Sequence, residues 1–166
     1  MRKLLATIFA LLSFGAAAGA TIETPAFKLV LGDGWTRGQS TDPEQQTYYS
    51  AKEDVGLTTS FMLVNAQPKD TERMANKLRD LRLKAEDTAA AQYGLKMTIA
   101  EPIVTAYGDG YQIAYYGHDS NNRQFRYLGV VTPKKIVNIY AESKGRSQQE
   151  LEVAFNGLLK GLSIPK

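Results

Sequence analysis

The sequence predicts an α+β fold with one mostly antiparallel sheet of about six strands and helices packed on its faces, an α/β/α sandwich. Stretches with strand periodicity lie on both sides of one long amphipathic segment. In the second half of the chain the predicted strands are joined only by GDG, DSNNR and PK. Connections this short force antiparallel neighbours, because a parallel crossover needs about a dozen residues.

The first twenty residues have the layout of a secretory signal peptide. MRKLLATIFALLSFGAAAGA begins with two basic residues, continues with an apolar run over residues 4–14 and closes on Ala18-Gly19-Ala20. The apolar run is too short to cross a bilayer of about 30 Å as a helix. We therefore expect a signal peptide at 1–20, then a single domain at 21–166 that is periplasmic or secreted and keeps no stable membrane anchor after cleavage.

Composition excludes several classes of protein. The chain has no cysteine, which rules out disulfides and thiolate catalysis, so a core must hold the domain together. The formal net charge of +3 falls to +1 once Arg2 and Lys3 leave with the signal peptide. The other basic residues are spread along the chain, so we expect no nucleic-acid partner.

Three short strands are predicted before the long amphipathic segment. The first is AFKLVL at 26–31, and the glycines of the following GDGW end it because glycine adopts the positive φ that tight turns require. TYYSA at 47–51 and LTTSFMLVN at 57–65 come next. Both rows of side chains in the last strand carry apolar residues, which favours cover on both faces.

A long helix is predicted over residues 71–93. Pro68 stops the preceding strand, Asp70 or Thr71 can cap the helix, and Gly94 can end it. The predicted sheet-facing stripe is Met74, Leu78, Leu81, Ala85, Ala89 and Tyr93, and the predicted polar side carries Lys77, Arg79, Lys84 and Glu86.

Four strands and a closing helix make up the second half. The strands are predicted at 96–107 with a break near Pro102, and at 111–118, 124–132 and 135–143. Ser147 and Glu150 then have the spacing of a capping box. The closing helix carries an apolar stripe made of Leu151, Ala154, Phe155, Leu158, Leu159 and Leu162.

These elements together resemble the PsbP-like superfamily. The similarity lies in the exported start, a first strand running into the turn Gly34-Trp35, the mid-chain helix, the hairpin Gly110-Tyr111 and a final helix ending in LLKGLSI. The superfamily includes the extrinsic subunit of photosystem II, a Ran-binding nuclear-transport factor and bacterial DcrB-like proteins. The resemblance implies an antiparallel sheet with helices on both faces and a non-catalytic role as an accessory subunit, adaptor or chaperone-like protein. It implies no shared set of functional residues.

The single histidine is not expected to be catalytic or to hold a metal. One imidazole excludes the usual zinc patterns. His118, Asp119 and Ser120 are consecutive in GHDS, and consecutive residues cannot easily take the end-to-end geometry of a catalytic triad. No catalytic, cofactor or metal site is therefore predicted.

Two acidic features are interpreted as ordinary surface chemistry. The loop DSNNR at 119–123 has oxygen ligands at three positions, but it lacks the central glycine and bidentate glutamate of a calcium loop. The pairs Glu53-Asp54 and Glu86-Asp87 are interpreted as solvated charge, because a working acid–base pair needs two different environments.

The tripeptide Gly-Asp-Gly occurs twice, at 32–34 and 108–110. The first is close to the dinucleotide-binding fingerprint, but no helix follows it, so we interpret it as a turn that leads Trp35 into the core or its rim. The second is interpreted as a hairpin with Asp109-Gly110 in a type I′ turn, which needs positive φ at both central positions.

Tyrosines carry most of the functional content. Six of the nine lie on or beside the last strands: Tyr107, Tyr111, Tyr115, Tyr116, Tyr127 and Tyr140. They either fill a helix-covered sheet or form an interface, since tyrosine and arginine bury a large area while keeping a polar group. The predicted partner-binding residues are Tyr116, His118, Arg123, Arg126 and Tyr111.

The function expected from the sequence is that of an exported, non-catalytic binding protein. It would be an accessory or chaperone-like subunit acting on a protein partner in the cell envelope. The alternatives are a periplasmic immunity protein that inhibits an antibacterial effector, a small-ligand carrier, or a hydrolase with an unrecognised site. A deep tyrosine-lined pocket with Arg126 inside it would favour a ligand, whereas an exposed aromatic patch would favour a protein.

Overall fold

The computed structural model describes residues 19–40, 42 and 44–165. Residues 1–18, which make up most of the predicted signal peptide, lie outside this part of the chain. The described residues form eleven strands, two α-helices and one turn of 3₁₀ helix. The strands are β1 (Thr21–Glu23), β2 (Lys28–Val30), β3 (Trp35–Arg37), β4 (Gln45–Ser50), β5 (Val55–Leu63), β6 (Met97–Ile99), β7 (Ile103–Tyr107), β8 (Gly110–Asp119), β9 (Gln124–Val131), β10 (Lys135–Ser143) and β11 (Leu162–Ser163), and the helices are α1 (Thr71–Gln92) and α2 (Gln148–Leu159).

The strands form two antiparallel sheets. The larger one has eight strands in the order β3-β4-β5-β10-β9-β8-β6, with β7 also pairing with β8, and the smaller one has the order β1-β2-β11. The predicted mostly antiparallel α+β fold is confirmed, but the prediction of a single sheet of about six strands is wrong. The strand predicted at 26–31 forms β2, which pairs with β1 and β11 in a separate sheet. The strand predicted at 96–107 divides at Pro102, which has no N–H for the ladder.

The two helices pack on opposite faces of the larger sheet. α1 covers β8 and β9, whereas α2 covers β9 and β10 and also contacts β2. We call these faces of the larger sheet the α1 face and the α2 face. Neither helix in the described part of the chain is long and apolar enough to cross a membrane.

Each face has its own core. The core of the α2 face is the larger and joins the two sheets to α2; its fully buried residues include Ile22, Phe27, Leu29, Leu57, Val130, Ile139 and Leu151. The core of the α1 face consists of Ala75, Ile113, Tyr115, Phe125, Tyr127 and Val131. Aromatic side chains therefore fill the sheet under α1, while aliphatic side chains dominate under α2.

α1 packs on a different side from the one that its apolar residues predict. Leu81 is 56% exposed and Tyr93 79% exposed, whereas Glu86 is only 6% exposed. The buried residues of the helix are Thr71, Ala75, Glu86 and Ala90, with Met74 and Leu78 partly buried against the same core. The predicted stripe is therefore right only in the first half of the helix. In the second half, the tyrosines of the sheet provide partners for charged side chains instead.

α1 begins at Thr71 as predicted and ends at Gln92, one residue before the predicted end, but it lacks the predicted side-chain cap. A turn of 3₁₀ helix at Pro68–Asp70 precedes it, and Asp70 makes no side-chain cap hydrogen bond. The hydroxyl of Thr71 donates to the carbonyl of Pro68 at 2.7 Å instead of capping the helix. Gly94 follows the last turn with φ +66°, a conformation that glycine adopts without strain.

The two Gly-Asp-Gly tripeptides are turns. Gly34 has φ +87° and leads directly into the buried Trp35, as predicted. In the second, the two central residues are Gly108 and Asp109, and only Gly108 has positive φ, at +57°. This is the pattern of a type II′ turn, so the predicted type I′ turn centred one residue later is wrong.

The closing helix starts at the predicted capping box. The hydroxyl of Ser147 accepts the backbone N–H of Glu150 at 3.3 Å, and the carboxylate of Glu150 accepts the backbone N–H of Ser147 at 2.8 Å. These bonds satisfy two of the free donors of the first turn. From this start, α2 buries Leu151, Phe155 and Leu158 against the larger core.

We expect Phe155→Ala to lower the free energy of unfolding by about 3–5 kcal/mol, because it removes a buried aromatic ring and leaves a cavity. Val153→Ala on the same helix is the matched control, since Val153 is exposed and its loss should change stability by about 0.5 kcal/mol or less. Urea unfolding of both variants measures the difference. Equal effects would show that α2 is not anchored through Phe155.

Candidate binding surface

The predicted partner-binding residues are divided between the two faces of the sheet. Tyr116 and His118 lie on the α2 face, and Arg126 lies directly opposite Tyr116 on β9. Tyr111 belongs to the α1 face, because strand side chains alternate. Arg123 lies in the turn before β9 and bonds to side chains of the α1 face. The structure thus brings Tyr116, His118 and Arg126 together and separates them from Arg123 and Tyr111.

Tyr116, Arg126 and Glu152 form a fixed group on the α2 face. The guanidinium carbon of Arg126 lies 5.0 Å from the centroid of the Tyr116 ring. The same guanidinium forms an ion pair with Glu152 of α2. Contact with the carboxylate on one side and the ring on the other holds the tyrosine at the margin of the helix-covered area. Arg126 is therefore not inside a tyrosine-lined pocket.

The part of the α2 face beyond α2 is open. On β7, Ile103 is 62% exposed and Tyr107 is 42% exposed, and Ile103 lies directly opposite Ala114 of β8. We call the set Ile103, Tyr107, Ala114, Tyr116 and His118 the outer α2 face. Its β7 members were missed in the sequence prediction, although the short turn that places β7 beside β8 was predicted.

His118 lies at the rim of an open cleft. The imidazole is exposed on β8, opposite Thr98 of β6 and Gln124 of β9. Between it and the start of α2 is a cleft of about 450 Å³, lined by His118, Asn122, Gln124, Gly145, Arg146, Ser147 and Gln148. The lining is polar, so this end of the surface offers hydrogen-bonding groups beside the aromatic ones.

On the α1 face, the buried Glu86 pairs with the partly buried Arg82 among three tyrosines. Arg82 Nη2 lies 2.9 Å from Glu86 Oε1, one helical turn away. The Arg82 guanidinium lies over the rings of Tyr127 and Tyr140, with centroid distances of 5.1 Å and 5.8 Å. Tyr115 stacks on Tyr127 at 4.7 Å and donates to Glu86 Oε1 at 3.5 Å. We call these five residues the Arg82–Glu86 cluster.

Burial dominates the acid–base properties of this cluster. It raises the pKa of Glu86, against the opposing effect of the Arg82 charge. It also raises the pKa of Tyr115 to about 12 and shifts those of Tyr127 and Tyr140 upwards. The tyrosines therefore stay neutral at physiological pH, and Glu86 is the group in the cluster that burial brings closest to protonation.

Arg123 closes the turn between β8 and β9. Its Nε donates to Asp119 Oδ2 at 3.0 Å, and its Nη1 donates to Tyr140 Oη at 3.2 Å and to the carboxylate of Glu142. Asp119 also accepts the backbone N–H groups of Asn121 and Arg123. Burial raises the pKa of Asp119, but the hydrogen bonds from Arg123 and Asn121 outweigh it and lower the pKa. The DSNNR loop thus uses its single carboxylate, that of Asp119, to anchor the turn.

Tyr111 contacts the first turn of α1. Its hydroxyl donates to Glu72 Oε2 at 3.2 Å. The negative charge of Glu72 raises the pKa of Tyr111. This contact ties the start of β8 to α1 on the face opposite Tyr116.

The acidic pairs are used in different ways, which corrects their interpretation as solvated charge. Asp54 accepts hydrogen bonds from Ser143 Oγ at 3.1 Å and from the backbone of Gly145 at 2.9 Å, and the Ser143 bond in particular lowers its pKa. Glu53 pairs with the guanidinium of Arg146 at 2.8 Å. Glu86 is buried, and Asp87 is exposed as expected.

Comparison with solved structures identifies the architecture. The chain is similar to the solution structure of cyanobacterial PsbP (CyanoP) from Synechocystis sp. PCC 6803, with a TM-score of 0.69 over 97% of this chain and 99% of that one, at 10% sequence identity. The fold is PsbP-like. A crystal structure from Bacteroides thetaiotaomicron VPI-5482 is also similar, with a TM-score of 0.53 and 15% identity over 90% of this chain and 50% of that one. No protein-family model and no curated protein matches the sequence.

The PsbP-like fold confirms the resemblance seen in the sequence at the level of architecture. At 10% identity the likeness carries over no functional residue. Any function of the outer α2 face therefore depends on the side chains of this chain alone.

We expect Glu86→Gln to remove a pH dependence of stability. The folded pKa of Glu86 lies above its ordinary value of 4.5, so in the window between the two values the folded state holds more protons than the unfolded state. Wild-type stability therefore falls as pH rises through this window. The free energy of unfolding of Glu86→Gln, taken relative to wild type, should rise with pH across the window and level off above it.

Urea unfolding between about pH 4 and pH 8 measures this difference. Asp87→Asn is the matched control, because it removes an exposed carboxylate from the same helix. A relative stability of Glu86→Gln that falls with rising pH would mean that the Arg82 ion pair outweighs burial.

Proposed function

We propose that this protein is an exported, non-catalytic binding protein, an accessory or chaperone-like subunit that binds a protein partner in the cell envelope through the outer α2 face. The observation that carries the proposal is the group formed by Tyr116, Arg126 and Glu152 at the edge of that face. Tyrosine and arginine are the residue types enriched at the energetic centres of protein interfaces. The PsbP-like fold and the signal-peptide pattern of residues 1–20 support the role and the compartment.

The side chains of Tyr116 and Arg126 are already held in place before a partner binds. Arg126 packs on the Tyr116 ring and is itself held by Glu152, so little side-chain freedom is left to lose when a partner binds. Ile103 and Tyr107 add exposed apolar area, and His118 adds a hydrogen-bonding group at the rim of the cleft. An apolar centre with a polar border is the usual composition of a protein interface.

The geometry favours a protein partner over a small ligand. Tyr115 and Tyr127 are buried under α1, and Tyr116 lies on an open face, so these tyrosines do not line one deep pocket. The clusters of charge are also internally paired: Glu86 with Arg82, and Asp119 with Arg123. These four charged side chains contact one another and neighbouring protein groups, as residues that stabilise the fold do.

We expect the double variant Tyr116→Ala with His118→Ala to lose a partner that the wild-type protein retains from an extract of its native cell envelope, as read by affinity capture and mass spectrometry. The two substitutions remove the aromatic centre and the polar rim from the same face. Truncation of a central interface residue costs about 2 kcal/mol or more, roughly thirtyfold in affinity, which is enough to remove a protein from a washed resin.

Tyr111→Ala is the control, since Tyr111 is on the opposite face and its variant should retain the partner. Urea unfolding checks that each variant is folded. Equal capture by all three proteins would rule out the outer α2 face. The captured protein also separates the two roles: a subunit of an envelope complex supports the accessory role, and an antibacterial effector supports the immunity role.

A further inference from the structure

The edge strand β7 presents unpaired backbone groups. β7 pairs with β8 on one side, and no strand in the described residues lies on its other side. Tyr107 and Gly110 flank a two-residue turn and therefore form a hydrogen-bonded pair, as do the pairs Thr105–Gln112 and Ile103–Ala114. It follows that the N–H and C=O groups of the intervening residues, Val104 and Ala106, point away from the sheet.

β7 lacks the features that protect most edge strands. Its sequence is Ile-Val-Thr-Ala-Tyr, without a charged residue, a glycine or an internal proline. Edge strands usually carry charge, proline or a bulge, or are very short, because free ladder groups otherwise pair with another chain. The opposite edge, β3, follows this rule: it is three residues long and carries Arg37. β6, on the same edge as β7, is also only three residues long, so among the described strands of the larger sheet this lack of protection is specific to β7.

We propose that β7 pairs with the β7 strand of a second copy of this chain, in an antiparallel two-fold dimer centred on Thr105. In this register Val104 of one copy lies opposite Ala106 of the partner subunit, and the symmetry repeats the pair. Each hydrogen-bonded pair exchanges two N–H···O=C bonds, so every outward-pointing backbone group of Val104 and Ala106 is satisfied. Closed two-fold contacts are the commonest symmetry of homo-oligomers.

The side chains of β7 are self-complementary in the same register. Ile103 of one copy lies opposite Tyr107 of the partner subunit, twice across the axis, and both residues are exposed on the α2 face. Thr105 lies opposite Thr105 of the partner subunit at the centre. Aromatic pairs with β-branched residues, and threonine with threonine, are favourable cross-strand pairs, and they are closest in non-hydrogen-bonded positions such as these. β7 itself contains no charged residue, so no like charges meet within the paired strands.

The dimer would join two eight-stranded sheets edge to edge. Because Ile103 and Tyr107 belong to the outer α2 face, the two faces would become neighbours across the axis. The pairing itself uses β7 alone and does not depend on the partner proposed for Tyr116. Its test is accordingly a measurement on the purified protein with no other component.

Disulfide trapping tests the register. The chain has no cysteine, so Thr105→Cys introduces the only thiol. In the proposed dimer the two Cα atoms at position 105 are about 4.5 Å apart, a distance that suits a disulfide. We expect Thr105→Cys to form a covalent dimer under mild oxidation at low micromolar concentration. Thr36→Cys on the exposed edge strand β3 is the matched control and should stay monomeric. Equal crosslinking of the two variants would overturn the proposal.

Charge pairing tests the axis. Analytical ultracentrifugation should show a concentration-dependent dimer of the wild-type protein, and Thr105→Lys should weaken it about tenfold or more, because two like charges meet at the centre. Thr105→Glu should do the same, and an equimolar mixture of the two variants should recover the dimer. Thr36→Lys should leave it unchanged. Two results would contradict this pairing: a wild-type protein that is monomeric at every concentration, and a dimer that Thr105→Lys and Thr36→Lys weaken equally. The first result would mean that the β7 edge is available to pair with a strand of another protein.

Discussion

The register between β8 and β9 is the constraint on which the rest of the structure depends. It places Tyr115 opposite Tyr127 on one face of the sheet and Tyr116 opposite Arg126 on the other. On one face, stacked aromatic rings pack against α1, and on the other face a cation–π pair lies at the edge of α2. Because strand side chains have a period of two, a shift of one residue would exchange these two environments. The turn at Gly108 and Asp109 lies at the start of β8, and Arg123 holds its end.

The Arg82–Glu86 cluster explains how a polar helix surface can be buried. A buried ion pair gains little stability over apolar packing, but loss of one partner leaves an uncompensated charge and is strongly destabilising. Here the Arg82 guanidinium also stacks on aromatic rings, and Tyr115 donates to Glu86, so both charges have partners beyond each other. This arrangement exists only in one orientation of α1 about its axis. The cluster therefore favours a single packing of the helix, while Leu81 faces solvent.

The outer α2 face and the β7 edge occupy the same sector of the molecule for a common reason. α2 covers β9 and β10, and the small sheet adds to the core on that side, whereas Ile103 and Tyr107 of β7 stay exposed. The hairpin of β7 and β8 therefore extends beyond the helix and presents both a face and an edge. This sector extends from Tyr116, at the edge of the area that α2 covers, to Val104 on the edge strand. A surface of this kind suits recognition through both side chains and main chain.

The sequence by itself determined the fold class, the antiparallel connections and the alternation of residues in β8, because these depend on local periodicity and on turns of two to five residues. It also indicated the PsbP-like architecture, but of the five residues predicted to bind a partner only Tyr116, His118 and Arg126 share a face. Only the tertiary structure decided which side of α1 is buried. Glu86 lies four residues after Arg82, a spacing visible in the sequence, but the partners that make its burial possible come from strands that are distant along the chain. Contacts of that kind depend on how a helix packs on a sheet. Local periodicity does not predict which distant side chains will meet the helix.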